Sequence, residues 1–218
     1  MTDTTEKRFH FYGRRKGKTL RRHHSALMDQ LLPHLRVTLE DPLSGMGERR
    51  WLEIGFGGGE HLAHQAELHP EISFIGAEPF VNGVAKMLAL VEETNLANVK
   101  IHDHDARPLL EALPDLSFER IYLLYPDPWP KSRHNKRRFV SSETLAHFHR
   151  LLPPDGLFLF ASDIGDYVSW TRKHVAEHGG FTEVGDPSEP YENWIETRYE
   201  NKARREGRGS AYLRFRKV

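Results

Sequence analysis

The sequence predicts an α/β fold built on a mostly parallel sheet with helices on both faces. Two observations carry this expectation. Apolar runs of strand length alternate with segments of helical period along most of the 218 residues, the pattern that lays parallel strands side by side under covering helices. The first four of these runs also end on glycines, an acid or a proline cluster, residue types suited to the carboxyl ends of parallel strands, where such sheets hold ligands.

The elements follow in order. Residues 1–20 show no apolar period and read as a mobile basic arm. Over 25–35, Leu27, Met28, Leu31, Leu32 and Leu35 fall at helical spacing, with Ser25 the expected cap. Residues 41–48 (DPLSGMGE) are turn chemistry. A first strand over 50–54 closes on the glycine cluster 55–59, and a helix follows to about His69. The second strand, 72–77, ends at Glu78 and precedes a helical face over 81–94. The third, 99–101, leads into acids and a short helix through Leu110. The fourth, 120–125, is stopped by Pro126-Asp127-Pro128-Trp129-Pro130. A helix over 141–152, a buried-type strand over 157–161, a helix over 166–177 and strands over 181–184 and 211–216 complete seven strands. The expected division is a basic arm and helix over 1–40 and a main domain over 41–218.

Composition narrows the function. Cysteine is absent, which excludes disulfides, thiolate metal sites and a cysteine nucleophile, and fits a reducing compartment. No apolar run reaches the roughly 18–20 residues of a membrane span, and the first ten residues are polar rather than a secretory signal. A cytoplasmic protein without a membrane partner is expected. The net charge is zero, with 31 basic and 31 acidic residues, but the charges are segregated. Eight Lys/Arg lie between Lys7 and Met28 with no acid, five between Lys131 and Arg138 with no acid, and seven between Lys202 and Lys217 against Glu206 alone. The rest of the chain holds 11 basic against 30 acidic residues, a charge of about −19. Basic blocks on an acidic body point to a polyanion, nucleic acid first.

Glycines after a first strand leave the backbone bare where it approaches a ligand, and the helix that follows offers free N–H groups. The same cluster also serves as a plain tight connection, and G-F-G-G-G lacks the full G-x-G-x-x-G dinucleotide pattern. Glu78, 25 positions beyond Glu53, ends the second strand, where a carboxylate accepts both ribose hydroxyls of an adenosine ligand. Asp105 follows the third strand, placed for an adenine amino group. The segment His102-Asp103-His104-Asp105, with His61 and His64, also permits a His/Asp metal site. Fourteen histidines make such clusters common by chance, and no metal is expected. Acids at three consecutive strand ends, Glu53, Glu78 and Asp105, suit a cation better than a pyrophosphate. S-adenosylmethionine carries net positive charge, which favours methyl transfer over hydride transfer.

The segment after the fourth strand is the sharpest feature. Its prolines make a rigid, non-helical lip that presents the Asp127 carboxylate and the Trp129 indole together. An aromatic stacks on a base and an aspartate accepts from guanine's N1–H and amino group. The basic run from Lys131 to Arg138 then brings phosphate-binding side chains beside that lip. A proline-rich turn with Trp129 folded onto the core is the plainer alternative.

Together these residues resemble the bacterial tRNA (guanine-N7)-methyltransferases. The resemblance runs through GRRKGKTL (13–20), LEIGFGGGEHL (52–62), GAEPF (76–80), HDHDA (102–106), PDPWPKSRHNKRR (126–138), SDIGDY (162–167) and TRYENKARREG (197–207). It implies a Rossmann-like class I methyltransferase fold with S-adenosylmethionine as cofactor. By the same resemblance Glu53, Gly55, Gly57, Glu78, Asp105 and Asp127 belong to the cofactor pocket, and Asp127 is the active-site acid. Lys131, Asp163, Thr197, Arg198, Tyr199 and Glu200 match substrate-binding positions, and Arg133, His134, Asn135, Lys136, Arg137 and Arg138 match an RNA-contacting loop. The implied target is the guanosine at position 46 of the tRNA variable loop, bound to a monomer or homodimer. Gly58 or Gly59 stands where relatives often carry a bulkier residue, and the position of Pro130 also varies. Three other readings remain beside this one: methylation of an exocyclic amine, a nicotinamide-dependent oxidoreductase, and a noncatalytic RNA-binding module. Covalent activation at a pyrimidine C5 is closed for want of cysteine.

Overall fold

The computed structural model describes residues 11–218; the arm expected over residues 1–10, with Lys7 and Arg8, lies outside them. The described chain holds one sheet of seven strands: β1 (Arg50–Ile54), β2 (Ser73–Ala77), β3 (Val99–His102), β4 (Arg120–Leu124), β5 (Leu157–Ser162), β6 (Phe181–Val184) and β7 (Ala211–Lys217). Their spatial order is β3-β2-β1-β4-β5-β7-β6. The first five pair in parallel, while β7 lies antiparallel between β5 and β6. The strand order reverses between β1 and β4, which makes the crevice above their carboxyl ends the natural ligand position.

Among the described residues eight α-helices surround the sheet: α1 (Arg22–Gln30), α2 (Leu32–Leu35), α3 (Glu60–Leu68), α4 (Val81–Thr94), α5 (Ala106–Ala112), α6 (Ser142–Leu151), α7 (Gly165–His178) and α8 (Arg198–Arg205). Alternation along the strands divides the core in two. Leu52, Ile54, Ile121 and Leu123 pack with Leu109, Leu145, Phe148 and Tyr167 from α5, α6 and α7. Trp51, Phe74, Tyr122 and Leu124 face the other way, onto Leu62, Met87, Leu88 and Leu27 from α3, α4 and α1. This parity places Glu53 on the Trp51 face, against α3.

Two local expectations change. Ser25 caps nothing: its N–H bonds to the Arg21 carbonyl at 3.0 Å, one turn back, so the helix begins earlier, at Arg22. That helix then stops and restarts as α2 because Pro33 lacks the N–H needed to continue it. The arm is also anchored over its described part. The Val81 N–H donates to the Arg15 carbonyl at 3.0 Å. Asn82 accepts from the Gly17 N–H and donates to the Lys18 carbonyl, both at 2.7 Å. Residues 11–18 therefore form a strap held to the start of α4.

Candidate active site

A cavity of about 380 Å³ opens above the carboxyl ends of β1, β2 and β4, within the size range of small-molecule sites. Gly55 and Gly57 form its floor, with φ of 74° and 58°, left-handed values that a side chain would strain. Glu78 leaves the end of β2 buried. Its two carboxylate oxygens accept from the Gly57 and Phe80 N–H groups, each at 2.8 Å, which leaves acceptor capacity on a side chain that lines the cavity. Burial raises the Glu78 pKa, the two N–H donors oppose that rise, and the Asp127 and Glu53 charges add to it. Asp105 caps α5 by accepting from the Arg107 N–H and also pairs with the Arg107 guanidinium, both at 3.0 Å.

The lip follows β4. Tyr125 and Trp129 bracket it with φ of 49° and 42°, strained values for side-chain-bearing residues, of the kind that gather at functional sites. Asp127 stands between them at the cavity mouth. Its carboxylate has no hydrogen bond or ion pair among the described residues, and the protein packed on its inner side desolvates it and raises its pKa. Trp129 meets Tyr12 of the strap edge-on at 6.2 Å. The Arg137 guanidinium lies over both rings, 4.5 Å from Tyr12 and 5.0 Å from Trp129.

The other expected residues separate into those at the cavity and those held elsewhere. Tyr199 covers Gly57, stacks near Tyr125 at 6.4 Å and lines the cavity. Glu53 does not line it. Buried on the α3 face, its carboxylate bonds to His61 Nδ1 at 2.7 Å and borders a smaller crevice with Thr197 and Arg198. Thr197 caps α8, its hydroxyl accepting from the Glu200 N–H at 3.2 Å. Arg198 pairs with Glu60 across the glycine loop. Glu200 is buried, accepting from Trp194 Nε1 at 2.7 Å and from the Tyr212 hydroxyl. Asp163 is held by Arg208 at 2.7 Å.

The basic run forms a 3-10 turn, Ser132–Arg137. Lys131, Arg133 and Lys136 are exposed, whereas Arg138 is buried. His134 and Asn135 are half-buried, and partial desolvation together with the cations of Arg137, Arg133, Lys131 and Lys136 lowers the His134 pKa. The third basic block is divided in use. Lys202 and Arg205 stay in solvent on α8, while Arg214 is spent on the carbonyls of Asp186, Glu189 and Pro190, and Lys217 on that of Leu152. Several cavity residues carry no sequence signal, Tyr12 of the strap, Arg107 and Phe139, and Arg14 is marked in the sequence only as part of the first basic block. Gly83, beneath the glycine loop, did carry one, an isolated glycine in a helical pattern.

The geometry suits a flat adenosine-type ligand with positive charge. A glycine floor, apolar walls from Ile54, Leu123 and Phe80, and two carboxylates without ion pairs among the described residues, the buried Glu78 and the exposed Asp127, supply the shape and the sign. Solved structures agree at the level of fold. The 16S rRNA methyltransferase KamB is 18% identical with a TM-score of 0.58, over 94% of this chain and 99% of its own. The 16S rRNA (adenine(1408)-N(1))-methyltransferase of Catenulisporales acidiphilia, solved with its cosubstrate SAM, is 16% identical with a TM-score of 0.53, over 79% of this chain and 87% of its own. Residues 48–213 match the family described as "Putative methyltransferase". The tRNA (guanine-N(7)-)-methyltransferase of Agrobacterium fabrum is 55% identical over 94% of both chains. That of Rhizobium johnstonii is 52% identical over 95% of this chain and 94% of its own. With this coverage and identity, the chain belongs to the tRNA (guanine-N7)-methyltransferase family.

Proposed function

We propose that this protein methylates N7 of a guanosine in tRNA, at position 46 of the variable loop, with S-adenosylmethionine as donor. The observation that carries the reading is Asp127: an exposed carboxylate, desolvated on its inner side and without a partner among the described residues, on a rigid lip between the cavity and an exposed basic turn. In this reading Glu78 holds the ribose hydroxyls and Asp105 stands at the adenine end. Gly55 and Gly57 give the cofactor a bare floor. Glu53, fixed by His61, acts from behind the glycine loop. The bound cofactor supplies an electrophilic methyl group on a sulfonium.

Guanine N7 has an in-plane lone pair and no proton, so the chain needs no general base. Its residues must align the base and tolerate the positive charge that grows on the purine. Asp127 holds the base edge and offsets that charge, while Trp129 and Tyr199 offer faces for stacking. Lys131, Arg133, Lys136 and Arg137 grip phosphates, with the cations of the strap and of α8 beside them. Thr197, Arg198 and Glu200 set the start of α8 so that Tyr199 reaches the mouth, and Asp163 works from the β5 end. Residues 1–40 then serve tRNA and 41–218 carry the transfer, in the cytoplasm where tRNA is processed. Among the described residues no helix is long and apolar enough to cross a membrane.

The test is transfer from labelled S-adenosylmethionine to unmodified tRNA, with nucleoside analysis of the product. Label is expected in 7-methylguanosine and is lost when the target guanosine is replaced. Asp127→Asn is expected to lower kcat at least 100-fold, about 2.7 kcal/mol, with tRNA affinity kept. Label in an exocyclic amine overturns the assigned chemistry, and wild-type turnover of the variant overturns the role of Asp127.

A further inference from the structure

Arg138 ends the basic run yet shares none of its exposure. Its side chain is fully enclosed. Nε donates to the Pro128 carbonyl at 2.8 Å, and Nη2 pairs with Asp166 at the start of α7. The guanidinium lies 5.0 Å from the Tyr167 ring and 5.1 Å from that of Trp170. These two rings also fix the chain around it. The Tyr167 hydroxyl accepts from the Phe139 and Val140 N–H groups at 3.0 and 3.3 Å, and Trp170 Nε1 donates to the Val140 carbonyl at 2.8 Å.

The other end of this brace is the lip. Pro126, Pro128 and Pro130 have no N–H to donate. Among the described residues, the bond from Arg138 is the one hydrogen bond that reaches the backbone of residues 126–130. It lands on the residue next to Asp127. Arg138 Nη1 is enclosed without a partner among the described residues, a placement that works against stability, because a buried, incompletely paired charge is often replaced by an apolar side chain at no cost.

We propose that Arg138 is a positioning residue, which fixes Asp127 through the Pro128 carbonyl and makes no contact with RNA. The proposal rests on the methyl-transfer reading for its kinetic consequence, but not for its structural one. Arg138→Met tests it, because Asp166 is 71% exposed and stays solvated when its partner is removed. The melting temperature is expected to hold or rise. tRNA affinity and its salt dependence should match wild type, while kcat falls about 10- to 100-fold from misplacement of the carboxylate. Backbone order parameters at Asp127, Trp129 and Lys131 should fall from the rigid range of ~0.85 toward the flexible range below ~0.6, whether or not methyl transfer is observed. Unchanged order parameters overturn the proposal, as does a weakened tRNA complex whose salt slope drops by about one. Wild-type protein that transfers no methyl group, with the order parameters responding as expected, overturns the functional reading and leaves the brace standing. If Arg138→Met does not fold, Arg138→Lys is judged by the same order-parameter, affinity and kcat criteria.

Discussion

Gly83 lies in the first turn of α4, directly beneath the glycine loop. A Cβ there would press deep into the Gly57 carbonyl oxygen and stand 3.1 Å from the carbonyl carbon. The oxygen contact would be roughly 1 Å closer than the ~3.3 Å at which carbon and carbonyl oxygen normally meet. The obstacle is backbone, so either the helix start or the loop must move. Helix propensity pulls the other way, since alanine is better than glycine by ~1 kcal/mol in a helix interior. Overpacking costs ~1–3 kcal/mol, so Gly83→Ala should be destabilised by up to about 2 kcal/mol. The loop is the softer element, and its displacement breaks the 2.8 Å bond from the Gly57 N–H to Glu78. A hydrogen bond to a charged group is worth ~1.5–3 kcal/mol, which predicts about a 10- to 100-fold loss of cofactor affinity. Calorimetric titration with S-adenosylmethionine and thermal unfolding measure both effects. Gly165→Ala is the control: nothing lies within 4 Å of its Cβ position, so it should gain ~0.4–1 kcal/mol with affinity unchanged. A Gly83→Ala protein that gains stability and binds like wild type refutes the claim that α4 and the glycine loop are locked together.

Two further outcomes are expected. Burial raises the pKa of Glu78 and of Asp127, so their contribution to the unliganded fold is present at low pH and lost as pH rises through those raised values. A cationic ligand offsets the loss only once they ionise. Affinity for S-adenosylmethionine should therefore climb with pH above the ordinary carboxylate range of ~4, and Glu78→Gln should flatten the climb in a titration series. The exposed Arg133 and Lys136 make no ion pair among the described residues. Replacing both by Ala should lower the log–log salt slope of tRNA binding by about 2, and an unchanged slope would place the RNA path elsewhere.

Much of this arrangement was legible because strand ends announce themselves. Glycines after β1, an acid after β2 and prolines after β4 are local signals, and local signals sufficed for the cavity floor and the lip. Glu53 shows where they stop. In the sequence it groups with Glu78 as another acid at a strand end, but strand parity turns it toward α3 and His61. Arg138 is indistinguishable from Arg137 in the sequence; Tyr167 and Trp170, some thirty residues on, decide that one is enclosed. The strap reads as unstructured because its order comes from Asn82, not from any period of its own. Nor does any pattern within residues 211–217 report that this strand enters the sheet antiparallel, between two strands that precede it.

That last placement bears on how the chain is made. β7 is the final strand in chain order, yet it is interior in the sheet. Until it emerges from a ribosome, β5 has one unpaired edge and β6 has nothing to join. The roughly 50 residues from the end of β5 to the start of β7 take ~2.5–10 s to synthesise at ~5–20 residues per second. Throughout that interval Phe158 and Phe160 border an open edge, the kind of surface on which nascent chains pair wrongly. The vulnerable interval in the synthesis of this protein is thus the one between β5 and β7, and the β5 edge is the surface that a helper would have to shield during it.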